Sequence, residues 1–195
     1  MVPIFEQGQG QGIGHTFDTF LIRFIEICEA HIENDRAMAF AFILYDFHDE
    51  ATRQVLRNQG GFAKLDRLSG NDLSVFYLHS DSTSLLRAFN DIFLQIFDIP
   101  ENRQLPFVLF FRMADKDAKD VEVVELEQSN LIFAFGELYE VIETYIEKLK
   151  KGNQTKDDKP NKFLRLFKYV KKITEEKFIE YLITKAAEYA GQHIL

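Results

Sequence analysis

The chain has 195 residues, 46% hydrophobic and 28% charged, a balance that excludes disorder throughout and suits one packed domain with an appendage. A net charge of -8 repels phosphate at long range, a single cysteine excludes any intrachain disulfide, and the longest wholly apolar run, Ala37 to Tyr45, is about half of the ~20 residues a membrane-spanning helix needs. The opening residues lack the basic-then-apolar layout of a secretion signal, so a reducing, cytoplasmic setting is expected.

Residues 1–14 contain "EQGQGQGIG", which alternates Gly with Gln and lacks the spacing of a dinucleotide fingerprint, so they are read as a flexible N-terminal arm. From Thr16, a plausible cap, Phe17, Phe20, Leu21, Phe24, Ile25, Cys28 and Ile32 follow helical spacing to about Glu33. Cys28 lies within that apolar pattern and reads as a small buried hydrophobe rather than a nucleophile. The run "RAMAFAFILYDF" then predicts a central strand over 37–47, covered on both faces.

A helical pattern over 49–68 follows, with a break or kink expected at Gly60-Gly61. A strand over 72–79 and a helix over 82–97 come next, the latter with Leu85, Leu86, Phe89, Ile92, Phe93 and Ile96 on one stripe. "LPFVLFFRM" and "VEVVELE" predict an antiparallel hairpin of strands 105–113 and 121–127 joined by "ADKDAKD". A last helix covers about 129–150 and completes a domain of residues 15–150.

Residues 151–160, polar and marked by Gly and Pro, form the expected linker, and 161–195 an amphipathic helical extension. Charge is divided between these parts: residues 148–177 hold 11 Lys or Arg against 4 Asp or Glu, so the remainder carries -15. Lys162, Arg165, Lys168, Lys171 and Lys172 interleave with Phe163, Phe167 and Tyr169. That basic helix, 156–177, can pack on its own body or a second copy, bind a partner protein, or act as an electrostatic adaptor for lipid or nucleic acid. The acidic body weighs against the last use.

The order α-βα-βα-ββ-α, with Leu105-Pro106 just ahead of "FVLFF", resembles the thioredoxin-like superfamily. That resemblance implies an α/β three-layer sandwich, a mixed four-stranded sheet flanked by helices, with a cis-proline opening the strand beside the central one. Where the family carries Cys-x-x-Cys, this chain has His48-Asp49-Glu50-Ala51, which can supply no thiolate. A redox-inactive, protein-binding or scaffold module is therefore implied, without cofactor.

In such a sheet the two parallel strands end side by side, which brings His48 and Asp49 near His79 and Asp81, with Pro106 at the same edge, where ligands of open α/β sheets bind. These residues form the candidate groove for a ligand or partner. They also suit helix starts, Asp49 for one helix and Ser80, Asp81 or Ser82 for the next. No catalytic or metal motif of recognisable spacing is present in the sequence. The expected partner is a protein, or a second copy through the extension, and the competing reading is a ligand sensor or enzyme at the His48, His79 and Pro106 edge.

Overall fold

The computed structural model describes residues 1–5, 15–100, 102–114, 117–127 and 131–151. Within them the elements are β1 (Val2–Phe5), β2 (His15–Thr16), α1 (Phe17–Glu33), β3 (Ala39–Leu44), α2 (Glu50–Arg57), α3 (Gln59–Ser69), β4 (Leu73–His79), α4 (Thr83–Ile96), β5 (Phe107–Ala114), β6 (Asp117–Glu125) and α5 (Leu131–Lys150). Most of the expected arm (6–14), nearly all of the linker (152–160) and the extension with Lys162, Arg165, Lys168, Lys171 and Lys172 lie outside the described residues.

The fold is α/β with one mixed sheet of order β2-β1-β4-β3-β5-β6. β3 runs parallel to β4, with Ala41 opposite Val75, and antiparallel to β5, with Phe42 opposite Leu109. All six residues of β3 are buried, as a strand covered on both faces requires. Alternation divides its side chains. Phe40 and Phe42 join Phe20 and Phe24 of α1, Phe93 of α4, Phe76 of β4 and Phe111 of β5 in one aromatic cluster. The opposite face of the sheet meets α3 and α5: Phe62 packs on Tyr77, and Tyr145 stacks on Phe110 at 4.1 Å and 15°. Cys28 is fully buried, and burial pushes its thiol well above the usual range.

The sheet has six strands rather than the expected four. Residues 1–5 do not belong to an arm: Val2–Phe5 pairs in parallel with β4, from Val2 opposite Phe76 to Phe5 opposite His79, and His15–Thr16 adds a second short strand outside it. A four-residue strand containing Pro3 shows no period in the sequence. It is tolerated because β2 covers only Ile4 and Phe5, leaving Pro3 at an edge where a missing N–H removes no ladder bond.

The 49–68 helix is two helices, and the break falls at Asn58 rather than at the glycines. Asn58 adopts an extended backbone, and its Oδ1 accepts from the N–H groups of Gly60 (2.9 Å) and Gly61 (3.4 Å), restarting the helix. Gly61 serves packing instead: a Cβ there would stand 3.3 Å from the Val55 carbonyl oxygen and 3.6 Å from the Phe135 ring. In the hairpin, most of the expected turn is strand, with Asp117 opposite Ala114 and Lys119 opposite Arg112. The register slips between Phe110 and Arg112, and Asp120 takes φ 53°, so a bulge carries the polar residues along the terminal strand of the sheet.

Candidate functional site

β3 and β4 end together, and Phe5 of β1 lies opposite His79 at the same carboxyl edge. The Leu105-Pro106 peptide is cis, Pro106 is buried, and Phe107 follows it opposite Leu44. The five candidate residues therefore belong to one edge of the sheet. Their immediate surroundings differ.

At the β3–α2 corner, Asp46 Oδ1 accepts from the N–H groups of His48 (2.6 Å) and Asp49 (3.2 Å), while Asp49 Oδ2 accepts from the Asp46 N–H (2.6 Å). The two carboxylates thus close a reciprocal turn. Asp49 stands at the N-cap position of α2 as expected, yet its side chain makes no cap hydrogen bond, because it is committed backwards to Asp46. Burial pushes the Asp49 carboxyl from 3.8 up to about 6; the Asp46 N–H opposes the shift and the Asp46 charge adds to it. His48 is exposed, its ring 6.1 Å from Phe47, whereas half-buried His79 lies 5.5 Å from the Phe5 ring.

At the β4–α4 corner, Ser82 caps α4 by accepting from the Leu85 N–H, and Ser80 Oγ accepts from the Ser82 N–H. Asp81 does not cap. Its Oδ1 accepts from Arg57 Nη2 (2.5 Å) and Arg53 Nη2 (3.0 Å), so two arginines one turn apart on α2 grip the neighbouring loop. The Arg57 hydrogen bond, with the charges of both arginines, holds the Asp81 carboxyl below its usual range. Arg53 also donates to the Phe47 carbonyl oxygen and lies 4.2 Å over the Phe47 ring, which is 37% exposed.

Beneath this layer, buried Asn90 of α4 donates from Nδ2 to the Tyr45 carbonyl oxygen, and the Tyr45 hydroxyl donates to the Leu78 carbonyl oxygen, tying α4 to the ends of β3 and β4. Asn90 Oδ1 and Arg53 Nε are buried without a hydrogen-bond partner among the described residues. Sequence reasoning missed Phe47, Arg53, Arg57 and Asn90. The available signal was the i, i+4 arginine pair directly after an acidic corner.

Among the described residues, no three His, Cys, Asp or Glu side chains are grouped to hold a metal ion, and no helix is long and apolar enough to cross a membrane. The edge offers an exposed aromatic ring, an imidazole and a guanidinium pair. It offers no thiol. Compared with known proteins, the chain matches no protein-family model and no curated protein sequence.

Proposed function

We propose that the chain is a redox-inactive, thioredoxin-like protein-binding or scaffold module whose carboxyl edge faces the partner. The strand order β1-β4-β3-β5-β6, with β3 parallel to β4 and antiparallel to β5, supports the resemblance, as does the cis Leu105-Pro106 bond at the head of β5. The corner where that family holds its dithiol is a closed turn of Asp46 and Asp49, and Cys28 is buried in the core. A cytoplasmic setting suits a chain whose one cysteine is enclosed.

The observation that carries the binding reading is Phe47: a large exposed ring, held in place by Arg53, beside His48 and the Arg57–Asp81 pair. Aromatic and arginine side chains fixed in place are the residue types that dominate protein interfaces. The test is a photo-crosslinking amino acid at position 47 in the native host, compared with the same group at exposed Glu143. Discrete adducts unique to position 47 are expected; matching patterns at both positions reject the binding reading. Turnover of a protein disulfide by the purified chain would reject the redox-inactive one.

A second reading, a ligand sensor or enzyme at the same edge, draws on Asp49, whose carboxyl is pushed up to about 6 by burial, close to exposed His48. Small-molecule binding that changes between pH 5 and 7 and disappears in Asp49→Asn would favour it.

A further inference from the structure

We infer that the basic amphipathic segment 161–177 folds back onto the outer flank of α1 in the same chain. Five large hydrophobics are exposed among the described residues, and three of them belong to α1 or the turn after it: Ile22 (37%), Ile32 (39%) and Met38 (50%). Ile22, half-buried Ile25 and Ile32 run along one flank of the helix with Glu29 among them, bordering the buried face of Phe20, Phe24 and Cys28, the last of which lies one turn before Ile32. Among the described residues nothing covers Ile22, Ile32 and Met38, and large apolar side chains on a helix flank are a contact surface.

Three features select the occupant. The first is charge: residues 17–38 carry five acidic side chains against two basic ones, whereas 161–173 carries Lys162, Arg165, Lys168, Lys171 and Lys172 and no acidic residue. Phe163, Leu166, Phe167 and Val170 recur at helical spacing within it, so the segment offers an apolar stripe bordered by cations to one bordered by Glu26, Glu33 and Asp35. The second is position. Lys150 Nζ lies 2.9 Å from the Asp72 carboxylate, and the Asp72 carbonyl oxygen accepts from the N–H groups of Met38 and Ala39. α5 therefore ends near Met38, in the turn that follows α1.

The third is reach. Nine residues, 152–160, span up to roughly 30 Å, and 17 residues, 161–177, would be about 25 Å long as a helix, the length of α1. A tether of that length gives an effective concentration in the millimolar range, so a modest contact within the chain outcompetes a second copy at micromolar concentration. The docking is independent of what the carboxyl edge binds.

The test places a photo-crosslinking amino acid at Met38 in the full chain, with isotopically light and heavy chains mixed. Crosslinks to 161–177 that join light only to light and heavy only to heavy are expected. Light-to-heavy crosslinks, which signify a second copy, crosslinks solely outside 161–177, or none at all would overturn the inference. A second measurement is amide exchange across 163–170. Protection of about tenfold or more is expected, falling about tenfold in Ile32→Glu/Met38→Glu with near-UV circular dichroism unchanged. Protection that survives the double substitution, or that arises only after vesicles rich in phosphatidylserine are added, overturns it.

Discussion

Replacing Asp49 with Asn is expected to stabilise the protein at neutral pH, although Asp49 occupies a helix N-cap. The folded-state carboxyl titrates at about 6 instead of 3.8, so the native chain keeps a proton that the unfolded chain has lost. Such a group's contribution is fully present below pH 3.8 and is lost as pH rises through 6; above that, an ionised carboxylate sits half-buried beside Asp46. Roughly two units at ~1.4 kcal/mol each is ~3 kcal/mol, reduced by solvent screening of a half-exposed group to about 1–1.5 kcal/mol. Against this, a negative charge at the first turn of α2 gains about 0.5 kcal/mol from the helix dipole. Desolvation wins by about 0.5–1 kcal/mol. Asn keeps an oxygen for the Asp46 N–H, so the turn survives. Urea titrations of both proteins at pH 4.5, 5.5, 6.5 and 7.5 should give a stability difference that is about a third of its final size at pH 4.5, grows with pH and levels off above pH 7. A variant that is less stable at pH 7.5, by an amount growing with pH, would refute the reasoning and show that the helix dipole outweighs desolvation at this corner.

Arg57→Ala should cost at most about 1 kcal/mol, since Asp81 is exposed, while Arg53→Ala should cost about 1–2 kcal/mol because it also removes the ring contact and buried stem; equal losses in urea melts would contradict this. Phe42→Ala removes a fully buried ring that touches Phe93 at a centroid distance of 4.0 Å, and a loss of about 3–5 kcal/mol is expected from chemical denaturation; under 2 kcal/mol would mean the cluster collapses around the gap. Asn58→Ala should cost about 1 kcal/mol through the start of α3, whereas Asn58→Asp should be nearly neutral; a thermal melt that separates them in the opposite order would show that Asn58 does not act through its Oδ1.

What could be read from the sequence followed from periodicity. The buried run ending at Tyr45 and the stripe of α4 announce themselves because burial on two faces or on one leaves a regular pattern. The convergence of His48, Asp49, His79, Asp81 and Pro106 on one edge follows from element order alone, since parallel neighbours end on the same side. β1 was not legible: four residues with a proline carry no period, and their pairing with β4 depends on a contact some seventy residues away. The helix break moved to Asn58 because a side-chain acceptor at the right backbone angle outweighs the conformational freedom of two glycines. The arginine clamp was hidden for a geometric reason: only the placement of α2 against the β4–α4 loop brings Arg53 and Arg57 to one carboxylate.

The disposition of polar groups at the carboxyl edge bears on what the edge can do. Catalysis by a carboxylate or imidazole requires a group whose lone pair or proton is available to a substrate. Here the Asp46 and Asp49 side chains accept from each other's backbone N–H groups, Ser80 and Ser82 hold the start of α4, and Asp81 is occupied by two guanidinium groups. These bonds fix the loops and occupy those carboxylates and hydroxyls. What they present is the Phe47 ring on its arginine support, with exposed His48 beside it. A surface whose polar groups are spent on holding an aromatic ring in place is suited to being recognised, because little conformational entropy remains to be lost when a partner covers that ring. The same reasoning makes Arg53 the discriminating position. Arg53→Lys keeps the charge near Asp81 but loses the planar stacking on Phe47, so it should weaken partner capture at position 47 severalfold while leaving urea stability within about 1 kcal/mol. Capture that tracks stability instead would mean that the ring is a packing element and that the partner binds elsewhere.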